Sequence, residues 1–335
     1  IGSELVRQIA AFGPARLALL DNAEYHLYQI DMTVARRWPG LERTAILGDV
    51  RDRARIDDVM RREAPELVFH AAAYKHVPIV EANPNEGVLT NVVGTRNVAD
   101  ASLNAGVSLM VLISTDKAVH PANVMGATKR LAESYCQTLD MDAPDLQNPD
   151  TPNRATRFVV VRFGNVLGST GSVIPLFQSQ IADGGPVTVT HPEMTRYFMT
   201  VREAVELVLQ ASALGVEDAD NKDTGGKIHV LEMGAPVRIL DLARQMIRLA
   251  GLVPDEDIAI EIIGVRPGEK LHERLLHESE HRMATSCEGL MLAAPRTADL
   301  TVLRQTIDAL EASARARDGA RTLALLHDAV PEFND

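Results

Sequence analysis

The apolar positions along this chain fall first into short unbroken runs, separated by longer stretches in which apolar residues recur three and four apart. RLALLD (16–21), TAILGDV (44–50), ELVFHAAA (66–73) and SLMVLIS (108–114) have the length and β-branched content of buried strands, with helical spacing between them. FVVVRFGNV (158–166) continues the series after a polar, proline-bearing loop, DAPDLQNPDTPNR. Strands that are apolar throughout and alternate with helices predict an α/β fold built on a doubly wound parallel sheet, covered on both faces. Beyond residue 167 the elements become mixed. PVTVTH and KIHVLEM predict short strands, VREAVELVLQASALG and RILDLARQMIRLAG amphipathic helices, and DADNKDTGG (218–226) a turn. The expected organisation is a parallel-sheet domain over 1–165, a smaller mixed α/β lobe over 166–296 interleaved with it, and a helical tail over 297–335 to which no chemistry is assigned.

The first residues read as the end of a glycine-rich turn running into a helix. In IGSELVRQIA, Gly2 stands where the last glycine of GxxGxxG lets a helix pack close to a strand, and Ser3 follows in the first turn. A strand and two further glycines are expected ahead of it. Asp21 closes the next strand about 20 residues after Gly2, the offset at which a carboxylate binds adenosine ribose hydroxyls in a dinucleotide fold. A carboxylate there repels a 2′-phosphate, so NAD is the expected cofactor rather than NADP. Asp49, in GDVRD, is a candidate for the adenine edge, and Ala71, Ala72 and Ala73 are small enough to admit a cofactor to the end of their strand.

Composition narrows the partners. Apolar and charged fractions of 46% and 24% are those of an ordinary globular protein. No run approaches the roughly 20 apolar residues of a membrane-spanning helix. Cys136 and Cys287 are too few for a disulfide framework, which fits a reducing compartment, with the cytoplasm expected. A net charge of -12 argues against nucleic acid as a partner. Lys75, Lys117, Lys129, Lys222, Lys227 and Lys270 are the only lysines among 34 basic residues. Arginine stays protonated in proteins, whereas a buried lysine can lose its proton and act as a base. Two of the six lie in STDKAVHPANVMGATKR (114–130). There the place four residues before Lys129, a tyrosine in YxxxK reductases, holds Met125, whose thioether cannot move a proton.

Taken together, IGSEL, LLDNAEYHLYQI, GDVRD, HAAAYKHVPIVEANPNE, NVVGTRNV, STDKAVHPANVMGATKR, VRFGNVLGSTGSVIPLFQSQI, THPEMTRYFMT and RPGEKLHE resemble the extended short-chain dehydrogenase/reductases with a Rossmann domain. Within these the chain is similar to the CapD-like nucleotide-sugar 4,6-dehydratases of bacterial polysaccharide biosynthesis, over residues 1 to about 277. The variant with Met for Tyr resembles the large members, which act on UDP-N-acetylglucosamine and retain configuration at C5. The resemblance implies a homo-oligomer, and an amino-terminal membrane region that would hold the whole protein at the cytoplasmic face of the inner membrane. This stretch itself is expected to make no membrane contact.

The resemblance also implies roles. Asp116 would be the acid for the departing 6-hydroxyl and Lys117 the base at C5, which calls for a raised aspartate pKa and a lowered lysine pKa. Thr115 would hydrogen-bond the sugar 4-hydroxyl, and Lys129 would hold the nicotinamide ribose. Asn22, Val50 and Asn91 join the cofactor residues. Lys75, His76, Asn165, Arg196, Arg266 and Glu269 are candidates for the sugar and diphosphate. No metal is expected: His76 has no second ligand at metal spacing. With no tyrosine, Asp116 or a bound water is expected to take the 4-hydroxyl proton. Rival readings are a UDP-sugar 4-epimerase, a catalytically silent NAD-binding sensor, and a stretch that does not fold by itself.

Overall fold

Along Leu109–Ile113 alternate side chains enter different apolar clusters, which is what a strand covered on both faces requires. In a computed structural model, described over residues 1–142, 156–169, 171–217, 225–295 and 298–333, the chain opens with α1 (Gly2–Ala11), β1 (Arg16–Asp21), α2 (Glu24–Arg37), β2 (Glu42–Leu47), α3 (Arg53–Glu63) and β3 (Leu67–His70). There follow α4 (Val77–Ala82), α5 (Pro84–Gly87), a π-helical turn (Val88–Val93) and α6 (Gly94–Ala105). β4 (Leu109–Ile113), α7 (Val124–Met141) and β5 (Arg157–Arg162) complete this half. β3, β4 and β5 run parallel in that order, and Ile228–Leu231 adds a fourth parallel strand beside β5.

Three features depart from the pattern read in the sequence. The sheet ends in two antiparallel strands, Leu290–Ala293 and Arg282–Ala284. β1 and β2 pair in parallel but form a sheet of their own, and β1 is not hydrogen-bonded to β3. FVVVRFGNV is two strands, because the chain turns at Phe163 and Gly164. Asn165–Leu167 then pairs with Phe198–Thr200 instead of β4. The loop 143–155, nearly all of DAPDLQNPDTPNR, and residues 218–224 of DADNKDTGG lie outside the described residues.

One face of the sheet packs Leu109, Val111, Val159 and Val161 against Leu5 of α1 and Ala204, Val205 and Val208 of the helix Val201–Glu217. On the other face, Met110, Leu112 and Val160 meet α6 and α7. Two tail helices, Leu300–Arg315 and Gly319–Ala329, lie over that second layer, burying Ile307, Leu310 and Leu326 completely. Arg96 of α6 pairs with Asp308 and Glu311 from the tail. The mixed lobe has a core of its own, with Phe177, Val187, Val189, Ile239 and Ile247 at its centre. No helix among the described residues is long and apolar enough to cross a membrane.

Candidate active site

The chain leaves β4 still tied to its neighbour. Ser114 N donates to Val161 O at 2.7 Å and Asp116 N to Phe163 O at 3.0 Å, fixing the backbone just past the carboxyl ends of the strands, where ligands bind in this architecture. Thr115 caps a single turn of 3₁₀ helix, Asp116–Ala118, its hydroxyl accepting from Lys117 N. Asp116 is fully buried. Its Oδ1 accepts from Thr115 Oγ1 and from Lys117 Nζ, both at 3.0 Å. Its Oδ2 has no hydrogen-bond partner and faces Gly164, where an added Cβ would stand 3.1 Å from it.

Lys117 Nζ is the hub. Besides Asp116 it reaches Asn165 Oδ1 at 3.3 Å and Glu273 Oε1 at 3.6 Å. Burial lowers the lysine pKa, but the Asp116 and Glu273 carboxylates outweigh it and the net direction is upward. The expectation of a lowered Lys117 pKa is therefore overturned, because desolvation was counted and the second carboxylate was not. Arg196, Lys270 and Lys75 act on Lys117 or feel its charge. Glu273, 7% exposed, has an Oε2 without a hydrogen bond and 3.8 Å from Lys270 Nζ, which itself donates to Val119 O. Neither Glu273 nor Lys270 was assigned a role from the sequence. The signal available was the scarcity of lysine together with the motif RPGEKLHE that holds both.

α7 approaches this turn closely. Asn123 caps α7 through Gly126 N at 2.7 Å, and a Cβ on Gly126 would lie 2.3 Å from Lys117 O. Because the obstacle is backbone, Gly126→Ala is expected to lower stability by roughly 1–3 kcal/mol. It should also displace Lys117, so that turnover falls further than the unfolding midpoint explains. An unchanged denaturation curve would show that the approach is not needed.

Met125 and Lys129 sit one turn apart on α7 and meet different surroundings. Met125 is 3% exposed and belongs to the apolar core, so packing is what the structure gives it to do. Lys129 Nζ donates to Ile113 O at 2.5 Å, and burial lowers its pKa to about 8.

At the cofactor end, Asp21 sits at the tip of β1, its Oδ1 accepting from Ala23 N at 2.8 Å. Asp49 is gripped by Arg51 and hydrogen-bonded by Asn22. Burial pushes its pKa up, but these donors win and hold it below the usual carboxylate range. Val50 is buried, and its carbonyl accepts from Asn97. Ala71, Ala72 and Ala73 line the chain leaving β3, with Ala72 exposed. These residues fit a dinucleotide in kind: a carboxylate at the end of β1, a polar cluster beyond β2 and small residues at the end of β3.

One expectation on this side is corrected, at Asn91. Gly2 and Ser3 are exposed in the first turn of α1. Asn91 is wholly buried, its amide consumed by Tyr74 N, Tyr74 O and Thr128 Oγ1. It holds the loop bearing Lys75 and His76 in place instead of meeting a cofactor.

The substrate candidates divide. Asn165 and Arg196 join the Lys117 site; Arg196 is 7% exposed, donating to Thr195 O and Leu271 O. Lys75 approaches from the β3 side, where burial and then Lys117 lower its pKa. His76 packs against the Gly171 turn, where a Cβ would come within 2.6 Å of its ring. Arg266 is exposed, and the carboxylate of Glu269 accepts from Arg266 N, closing its own turn. Elsewhere, His120, His277 and Glu278 bring ligand-type atoms within 4.8 Å of one another. There His277 Nδ1 lies within hydrogen-bonding distance of Ser279, and Glu278 pairs with Arg274 and His120.

Fold and site define an α/β Rossmann-type protein with a buried aspartate–lysine pair at the end of β4. The chain belongs to the polysaccharide biosynthesis protein family, whose model matches residues 1–295. It is 51% identical over 281 residues to the capsular polysaccharide biosynthesis protein CapD of Staphylococcus aureus, covering 84% of this chain and 44% of that one. The chain thus spans less than half the length of that relative. It is 36% identical over 250 residues to a UDP-N-acetylglucosamine 4,6-dehydratase (inverting) of Campylobacter jejuni, covering 74% and 67%. A UDP-glucose 4-epimerase of Rickettsia massiliae is 39% identical over 253 residues, covering 75% and 67%. Among solved structures, Pen from Bacillus thuringiensis superposes with a TM-score of 0.72 at 31% identity, covering 90% of this chain and 88% of that one.

Proposed function

We propose that this chain carries the catalytic site of an NAD-dependent nucleotide-sugar 4,6-dehydratase acting on UDP-N-acetylglucosamine and yielding the UDP-4-keto-6-deoxy-N-acetylhexosamine. The observation that carries the reading is the Asp116–Lys117 contact at 3.0 Å, buried at the strand ends. An epimerase needs only reversible chemistry at C4, whereas elimination across C5 and C6 needs an acid and a base side by side. NAD, when bound, would supply the hydride acceptor for C4 and the hydride donor for C6. Asp21, with Asn22 and Asp49, would hold its adenosine end and Lys129 its nicotinamide ribose.

Proton traffic follows from the contacts. The Thr115 hydroxyl donates to Asp116 Oδ1, so it can take the 4-hydroxyl proton as it passes its own to Asp116. No tyrosine is required, which accounts for a working site with Met125 in the apolar core. Asp116, now protonated, gives that proton to the departing 6-hydroxyl, and water leaves. Lys117 takes the C5 proton and returns it after C6 is reduced. Arg196 and Lys75 supply positive charge toward the diphosphate.

Incubating the protein with NAD and UDP-N-acetylglucosamine and weighing the nucleotide sugar by mass spectrometry tests this. Loss of one water is expected. The Rickettsia relative supports a second reading, a 4-epimerase, for which the mass would stay constant while the C4 configuration changed.

A further inference from the structure

For Lys117 to accept the C5 proton it must first be a neutral amine, yet it rests between two carboxylates that favour the ammonium. Once the 4-hydroxyl proton has reached Asp116, the turn holds one proton too many for elimination. The Lys117 side chain is 20% exposed, and its Nζ meets Asp116, Asn165 and Glu273 within the protein, with Arg196, Lys270 and Lys75 around it. Among the described residues in contact with Nζ, Glu273 is the carboxylate left to accept: its Oε1 is 3.6 Å from Nζ, and its buried Oε2 makes no hydrogen bond within the protein.

We propose that Glu273 is a proton store for Lys117, taking one ammonium proton when Asp116 becomes protonated and giving it back at the end of the cycle. This rests on the dehydratase reading above and adds a residue to it. At rest the three groups are Asp116 carboxylate, Lys117 ammonium and Glu273 carboxylate. After C4 oxidation Asp116 is a carboxylic acid. A proton then moves from Lys117 Nζ to Glu273, converting an ion pair into two neutral groups, which a dry site favours. In elimination the C5–H bond breaks toward Lys117 Nζ, its electron pair forms the C5–C6 double bond, and the C6–O bond breaks as Asp116 protonates the leaving oxygen. Hydride at C6 and the Lys117 proton at C5 restore the saturated sugar, and Glu273 then returns its proton to Lys117. The product is the substrate less one water, and all three groups end as they began. Glu273 acts through Lys117 and is a positioning residue in the proton inventory.

The sign of the pH effect separates this role from simple charge pairing. In Glu273→Gln the active form, with Asp116 protonated and Lys117 neutral, has one proton fewer than the form present after C4 oxidation, so that proton must go to solvent. Dehydration by the variant is expected to fall about 10²-fold at neutral pH. It should recover as pH rises, with the ascending limb moved to higher pH than in the parent. Formation of reduced nicotinamide in the first turnover should proceed at the parent rate, which also reports that the variant is folded. Glu273→Asp, which keeps an ionisable carboxyl, should keep the parent limb. A limb that is unmoved or displaced to lower pH in Glu273→Gln, or the same limb in both variants, would overturn the proton store while leaving the dehydratase intact. A parent protein that removes no water from UDP-N-acetylglucosamine would overturn the reading beneath it as well.

Discussion

Asp116→Asn is expected to abolish loss of water from the nucleotide sugar, by about 10²–10⁴-fold, the range for removing a general acid. The replacement has nearly the same shape. Its carbonyl can take the place of Oδ1, accepting from Thr115 Oγ1 and Lys117 Nζ as the carboxylate does. What disappears is the group that can carry a proton from the 4-hydroxyl side of the site to the 6-hydroxyl. The variant should therefore bind substrate and unfold near the parent midpoint while releasing no dehydrated product. Mass spectrometry under single-turnover conditions reads the effect directly. A rate within a few-fold of the parent would remove Asp116 from the acid role.

Arg162→Met is expected to be the most destabilising of these changes. Arg162 has no exposed surface. Its guanidinium spans Glu133 of α7, at 2.7 Å, and Glu280, at 2.7 Å, and donates to Leu275 O. Glu133 also accepts from Ser114 Oγ at 2.6 Å, so the network ends one residue from the catalytic turn. Methionine fills much of the volume but leaves the buried Glu133 and Glu280 carboxylates without their bridging guanidinium, with Arg130, 3.5 Å from Glu133, still beside them. Breaking a buried pair by removing one partner costs about 3–5 kcal/mol. Urea denaturation measures it, and a loss under about 1 kcal/mol would mean that the network is replaceable by packing.

Acid should narrow that difference. Burial raises the Glu280 pKa, but Arg162 outweighs it and the net shift is downward. A lowered folded pKa contributes stability that is present above the unfolded value and lost as pH falls through the folded one. The parent thus loses this contribution in acid. The variant, which lacks the Arg162 partner that lowers the Glu280 pKa, does not have this contribution to lose. The two curves should converge as pH falls.

The parallel strands were legible because burial on both faces forces unbroken apolar runs; β3 and β4 fall inside the runs read in the sequence, and β5 starts one residue before its run. The antiparallel edge was not legible. Arg282–Ala284 and Leu290–Ala293 are three and four residues long, too short for any periodicity to stand out. The break after β5 was hidden for a different reason: Phe163 and Val166 are buried like the strand before them, so the apolar run continues across Gly164, where an added Cβ would crowd Tyr197 and Asp116. The tail shows the same limit. Its helices were plain, but that Ile307, Leu310 and Leu326 close one face of the core depends on a fold that brings residues about 200 apart together.

At the site, the sequence by itself supplied STDK after an apolar strand, with Met125 at the place of the reductase tyrosine. Tertiary structure alone decided the direction in which the Lys117 pKa moves. Asp116 beside the amine and Glu273, far along the chain but 3.6 Å away, together outweigh the effect of burial on the lysine. Proximity also separated Asn91, spent on holding a loop, from Arg196, drawn into the Lys117 site. Residue types and short-range spacing are written in the chain. The field at an amine is a sum over groups that only folding brings together, so it can be read only after the chain has folded.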